Sequence, residues 1–185
     1  MCSLRHNGPM LEVVEHRNDT VVFNNPRFCS FKVLCGSETV FVSKCFLAQK
    51  SPVFASMFTS GMKEDQRGEL VMVDDVEAVK AMLLFIHQNT KVDTVNLAMK
   101  VIQLAHRYEI KLLMLQCELQ LLENICEDRA EECLHLARKL KMDYLTFKCL
   151  EVWYTKFTIS AAISDFYTEQ QEENMSVSYD SDSSY

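Results

Sequence analysis

The sequence predicts an α+β fold, a small sheet of short strands packed with helices, followed by a helical-hairpin extension. Three observations predict it. Short strand-like apolar runs are confined to the first part of the chain, whereas apolar residues recur at three- and four-residue spacing through most of the rest. The order of a few strands, one helix, one strand and then helices suits an α+β domain with helical hairpins appended. With only 4 Gly and 3 Pro in 185 residues, the chain has little material for a loop-rich fold.

Each element has a local cause. Residues 1–19 carry little pattern and are expected to form a flexible or partner-dependent arm. Strand-like runs follow at Thr20–Phe23, Phe31–Cys35 and Thr39–Val42. Asn24-Asn25-Pro26 breaks the first from the second, and Gly36-Ser37-Glu38 is a turn suited to a hairpin. At Phe46 the period becomes helical. Ser51-Pro52 marks a helix start, with Ser as N-cap and Pro in the first turn. Phe54, Met57 and Phe58 then share a face, and Gly61 stands where the C-terminal cap belongs.

Leu70–Val73 reads as the next strand, and Asp74 or Asp75 caps a helix striped by Val76, Val79, Leu83 and Ile86. Asp93 precedes a helix bearing Leu97, Val101, Leu104 and Tyr108. Leu112, Leu115, Leu119 and Leu122 stripe the one after it. Asp128 and Glu131 have capping-box spacing ahead of Ala130, Cys133, Leu134, Ala137 and Leu140. Asp143 is placed to cap a last helix with Leu150, Trp153 and Phe157. From residue 161 to 185 the chain turns acidic and serine-rich, a composition expected to stay disordered.

Composition narrows the function classes. Apolar residues at 48% and charged residues at 24% are globular values. A net charge of −7 with scattered lysines and arginines lacks the electrostatic drive for nucleic acid, so none is expected as partner. The longest apolar run, Ala81–Ile86, is too short to span a bilayer, so no membrane partner is expected. The opening MCSLRHNGPM has no apolar stretch of a secretory signal. Most of the eight cysteines replace an apolar residue in a hydrophobic pattern, as reduced thiols of a core do. The expected setting is intracellular, cytoplasmic and/or nuclear.

A search for chemistry finds none that holds together. The sequence lacks GxGxxG, GxxxxGK[ST], HExxH, GxSxG and CxxC. Cys126, Cys133 and His135, with Cys117, make the best zinc candidate, but Cys133 and His135 are two apart on a helix and point to different faces. A thiol paired with His87 or His106 lacks any mark of the electropositive setting that activates cysteine. The Asp74-Asp75 pair is simply explained by a helix N-terminus. No enzyme, no cofactor and no metal is expected. Ser176, Ser178, Ser181, Ser183 and Ser184, beside Asp180 and Asp182, suit an acid-directed kinase, against the plainer reading of a solvated tail.

Residues 41–64, FVSKCFLAQKSPVFASMFTSGMKE, resemble the signature of the BTB/POZ family, which runs roughly F-x-x-H-K-x-x-L-A-x-R-S-P-x-F-x-x-M-F. VMVDDVEAVKAMLLFIHQNT resembles the strand, helix and FIYTG stretch that follow. LAHRYEIKLLMLQCE resembles the closing helix, and NNPRFCSFKVLCGSETVF the opening hairpin. The resemblance covers residues 20–118 and implies a BTB/POZ fold. Residues 119–160 then resemble the 3-box or partial BACK helices of speckle-type POZ proteins, without the MATH domain of those proteins.

The resemblance implies a homodimer, with Phe46, Leu47, Val53 and Met57 as interface candidates. It also implies an adaptor that docks onto the third cullin of a RING ubiquitin ligase and directs ubiquitination of a bound substrate. The family's hydrophobic-x-Glu cullin motif falls on Met62-Lys63-Glu64, and the nearby family tyrosine on His87. An alternative is a BTB-only scaffold or competitor that hetero-dimerises with other BTB proteins. Three further departures stand out: Ser30 for the hairpin Asp, Lys44 for His and Lys50 for Arg. Lys50 without that acid argues against the charged corepressor pocket of transcription-factor relatives, because Lys does not imitate a bidentate Arg.

Overall fold

The computed structural model describes residues 23–155 together with residue 158. The strands β1 (Phe31–Cys35), β2 (Glu38–Val42) and β3 (Glu69–Met72) form one sheet in the order β2-β1-β3. β1 and β2 make an antiparallel hairpin with Val33 opposite Val40. Its turn is two residues rather than three, and Gly36 takes the left-handed conformation (φ +57°) that a side chain would strain. β3 returns parallel to β1, with Val33 opposite Leu70. A parallel return needs a crossover. It is supplied by α1 (Lys44–Lys50), α2 (Pro52–Thr59) and α3 (Lys63–Arg67).

The outer edge of β2 is clamped by one residue. The Asn24 backbone N–H donates to the Phe41 carbonyl at 3.1 Å, and the Asn24 Oδ1 accepts from the Phe41 N–H at 2.9 Å.

The helices α4 (Val76–Gln88), α5 (Val95–Arg107), α6 (Lys111–Asn124) and α7 (Glu127–Leu140) follow, with α4 against β2 and α1, and α5 packed against α4, α6 and α7; residues 143–155 form α8. Asp75 caps α4 through the Ala78 N–H at 3.1 Å and pairs with Lys100 of α5 at 2.7 Å. Arg107 reaches both carboxylate oxygens of Asp74, at 2.9 and 2.8 Å. These two pairs fix the start of α4 against α5. One core runs through Phe31, Leu47, Phe54, Leu83, Ile102 and Leu113, and continues to Cys133, Leu145 and Cys149 in the carboxy-terminal helices.

Several sequence expectations shift. Thr20 to Val22 of the first strand-like run lie outside the described residues, and Phe23 sits in a turn. β3 ends one residue early, leaving Val73 97% exposed. Asp93 precedes α5 as expected, and Thr94 is its N-cap. The stripe expected to bury α6 does not: Leu113, Cys117 and Leu121 face the core, and Leu112, Leu115 and Leu119 face outward. Asp128 lies inside the first turn of α7, whose N-cap is Cys126, so it acts on the helix dipole and not as a capping box. Asp143 is likewise the first helical residue of α8, with the Thr146 N–H bonded to the Met142 carbonyl. α8 packs through Leu145 and Cys149, while Leu150 and Trp153 are half-buried. The 1–19 arm, Phe157, the 161–185 tail and its serines lie outside the described residues.

Candidate interaction site

The α2 start organises one end of the molecule. Ser51 is 1% exposed, and its Oγ accepts from the Phe54 N–H at 3.1 Å while donating to the Tyr108 carbonyl at 2.5 Å. Phe54 stacks on the Tyr108 ring with centroids 4.5 Å apart and planes 8° apart. One hydroxyl therefore caps α2 and ties it to the α5–α6 junction. The residue after Tyr108, Glu109, is held at φ +52°, a conformation costly for a non-glycine residue.

The loop after α2 is shaped by its own backbone. Ser60 ends the helix, Gly61 turns left-handed at φ +62°, and Met62 becomes the N-cap of α3. Gln66 donates to the Gly61 carbonyl at 2.8 Å, and Gly68 at φ +70° closes α3. Lys44 of α1 pairs with Asp65 at 2.6 Å while its ammonium lies 5.4 Å from the centroids of both Phe31 and Phe58. In this half-exposed setting the pair contributes position more than stability. The result is a short helix with Met62 and Lys63 exposed and Glu64 half-buried at its start.

Met62 borders a groove of about 480 Å³ together with Pro52, Val53, Ser56, Met57 and Glu109. Residues assigned by resemblance to two different contacts, Val53 and Met57 for dimerisation and Met62 for the cullin, thus meet along one apolar surface. Methionines suit such a surface because they are flexible and polarisable. Phe46 stands apart on α1, 38% exposed.

Two of the residues assigned by resemblance are buried. Leu47, on the inner side of α1, is fully buried and packs the core. His87 is 9% exposed between the rings of Phe23 and Phe46, at 5.1 and 5.3 Å. Its Nε2 accepts from the Ser43 N–H at 3.2 Å and its Nδ1 lies 2.9 Å from the Leu83 carbonyl. A carbonyl only accepts, so Nδ1 carries the proton and the ring is neutral. Burial holds its pKa below the ordinary histidine value, opposed by the Leu83 hydrogen bond. The family tyrosine is thus replaced by an inward-facing brace between α4 and α1. Lys50, without its acidic partner, donates instead to Asn89 Oδ1 at 3.0 Å.

Among the described residues, no three His, Cys, Asp or Glu side chains converge to hold a metal ion. Cys126 is exposed, while Cys117 and Cys133 are buried in the core. The Cys117 thiol is pushed up to about 12 by burial, and Cys133 is pushed up by its hydrogen bond with Cys149 and by burial. Among the described residues no helix is long and apolar enough to cross a membrane. Sequence reasoning missed the outward α6 ridge of Leu112, Leu115 and Leu119, and the participation of Glu109 in the groove. The sequence signal for the ridge was two apolar stripes on one helix.

Residues 21–125 match the family model of the BTB/POZ domain. The chain is 27% identical over 140 residues to BTB and MATH domain-containing protein 42 of Caenorhabditis elegans, covering 74% of this chain but 34% of that protein. The chain therefore spans about a third of that relative's length. Among solved structures, it is similar to the BTB domain of zebrafish PATZ1, with TM-score 0.46, 20% identity, and coverage of 52% and 78% of the two chains. It is also similar to the BTB domain of human Gigaxonin, with TM-score 0.42, 20% identity, and coverage of 49% and 75%.

Proposed function

Because the chain belongs to the BTB/POZ family, whose domains are protein–protein interaction modules, we propose that it is a dimeric adaptor docking onto the third cullin of a RING ubiquitin ligase. The observation that carries this reading is the presentation of Met62, 49% exposed at the rim of an apolar groove, with Glu64 in the first turn of α3. Met62 supplies an adaptable apolar anchor, and the Glu64 carboxylate accepts charge-assisted hydrogen bonds. Lys63 between them is exposed and contributes charge at the rim. Phe46, Val53 and Met57 are the accessible dimer candidates. The protein contributes geometry rather than chemistry: a dimer presents two ligase arms to one bound substrate and raises their effective concentration. The residues after 118 act as 3-box or BACK-like helices that lengthen the cullin-facing side.

Calorimetric titration with the amino-terminal domain of the third cullin tests the proposal. Sub-micromolar binding by the wild type, weakened at least tenfold in Met62→Ala/Glu64→Ala, is expected. Undiminished binding by a folded double variant would remove this site.

One observation favours a second reading. The family tyrosine near the cullin is here the buried His87, so the cullin-facing surface lacks a hydroxyl. A BTB scaffold or competitor pairing with other BTB proteins needs no such surface. No cullin binding by a folded wild-type dimer, with co-purification of other BTB domains, would establish that alternative.

A further inference from the structure

The α6 helix carries apolar residues on two opposite sides, with Gln116, Gln120 and Glu123 between them. Leu113, Cys117 and Leu121 face the core, while Leu112, Leu115 and Leu119 are 62%, 51% and 48% exposed. At about 100° per residue the two sets centre on opposite sides of the helix. A second apolar side on a helix whose first is already packed, with contiguous bare leucines, marks a contact surface. The ridge continues into a groove of about 360 Å³ that runs onto Lys91, Val92 and Asp93 of the α4–α5 connection. Gln120 fixes that connection to α6, donating to the Asp93 carbonyl at 2.9 Å.

We propose that this ridge and groove dock the chain's own amino-terminal arm through the apolar segment Met10-Leu11-Glu12-Val13-Val14. Reach permits it. The Phe23 ring, on the first described residue, lies 5.1 Å from that of His87 near the end of α4. Val92 is five residues past His87, so their Cα atoms are at most about 19 Å apart. Val14 is nine residues before Phe23, a stretch that spans up to about 30 Å.

Area points the same way. Three leucines and one groove of about 360 Å³ make a small patch for a complex between separate proteins, which takes roughly 800 Å² per partner. A tethered segment works at a millimolar effective concentration and holds with far less surface. Composition agrees, since four of the five residues from Met10 to Val14 are apolar. The docked arm covers the ridge, and any helix that binds there must first displace it. This inference is independent of cullin docking, because the ridge lies on α6 and the cullin motif on α3.

Hydrogen–deuterium exchange on the full chain tests it, comparing the wild type with Leu115→Glu/Leu119→Glu. Both positions are exposed, so the variant folds, which circular dichroism checks. Amides of residues 10–14 are expected to exchange at least tenfold slower than unstructured chain in the wild type, and at the unstructured rate in the variant. The arm variant Leu11→Asp/Val14→Asp is expected to bind the apolar dye anilinonaphthalene sulfonate several-fold more brightly. Unprotected arm amides in the wild type, or protection that survives the ridge variant, would overturn the proposal. So would protection that grows with protein concentration, which assigns the ridge to a second copy.

Discussion

Replacing Ser51 with Ala removes one oxygen that does two jobs. The hydroxyl accepts from the Phe54 N–H at 3.1 Å and donates to the Tyr108 carbonyl at 2.5 Å, in a position 1% exposed to water. Losing an N-cap side chain costs about 1 kcal/mol, with a range of about 0.5–2. Leaving the Tyr108 carbonyl buried without its donor adds about 1–3 kcal/mol. No water reaches the site freely to replace either bond, so the sum is about 2–4 kcal/mol, against the roughly 5–15 kcal/mol stability of an ordinary domain. Urea unfolding at fixed protein concentration measures it, since any self-association would make the midpoint concentration-dependent. The midpoint should fall with the slope unchanged. The Phe54 and Tyr108 stack should loosen with it, because the same bond positions the α5–α6 junction. A loss below about 1 kcal/mol would refute the dual role and show that the Tyr108 carbonyl finds another donor.

Two further outcomes follow from buried groups. His87 is neutral and its pKa is lowered by burial, so the unfolded chain takes up the proton more readily. Its contribution is complete above the ordinary value of 6.5 and is lost as pH falls below it, by up to about 1.4 kcal/mol per pH unit. Urea midpoints from pH 7.5 to 5 should fall less steeply in His87→Gln than in the wild type, and equal slopes would contradict the assignment. Among the described thiols, Cys45 and Cys126 are exposed and the other five buried. Ellman's reagent should titrate those two quickly at pH 8 and leave Cys117, held at about 12, unreacted until urea is added. Rapid modification of Cys117 in folded protein would contradict its placement.

How much of this was legible in the sequence depended on whether the cause was local. The Gly36 turn, the Ser51-Pro52 start and the Asp75 cap each rest on chemistry within a few residues, and the structure keeps all three. Where two local answers were equally good, tertiary packing chose. α6 offers two apolar stripes, and nothing in its own periodicity ranks Leu113, Cys117 and Leu121 above Leu112, Leu115 and Leu119. The α7 start went wrong for a related reason: Asp128 has capping spacing, yet the chain turns at Cys126, and the carboxylate works from inside the first turn. His87 was unreadable as a brace because its partners, Ser43 and Phe46, are more than forty positions away. The candidate site was legible as a motif at Met62 and Glu64. The convergence of Val53, Met57 and Glu109 beside it arises only when α2 meets the α5–α6 junction.

The Asn24 clamp on β2 has a consequence for aggregation. A three-stranded sheet has two edges, and each is a row of backbone groups on which a foreign strand could grow. At β2, Asn24 occupies the Phe41 donor and acceptor. Among the described residues the opposite edge, β3, is paired on one side only, and it carries Val71 at 65% and Val73 at 97% exposure. Fibrils need two sticky edges per subunit, one to join and one to be joined. With one edge stoppered, edge pairing ends after two molecules. Weakening the stopper, as in Asn24→Ala, frees the Phe41 N–H and exposes that edge to propagation.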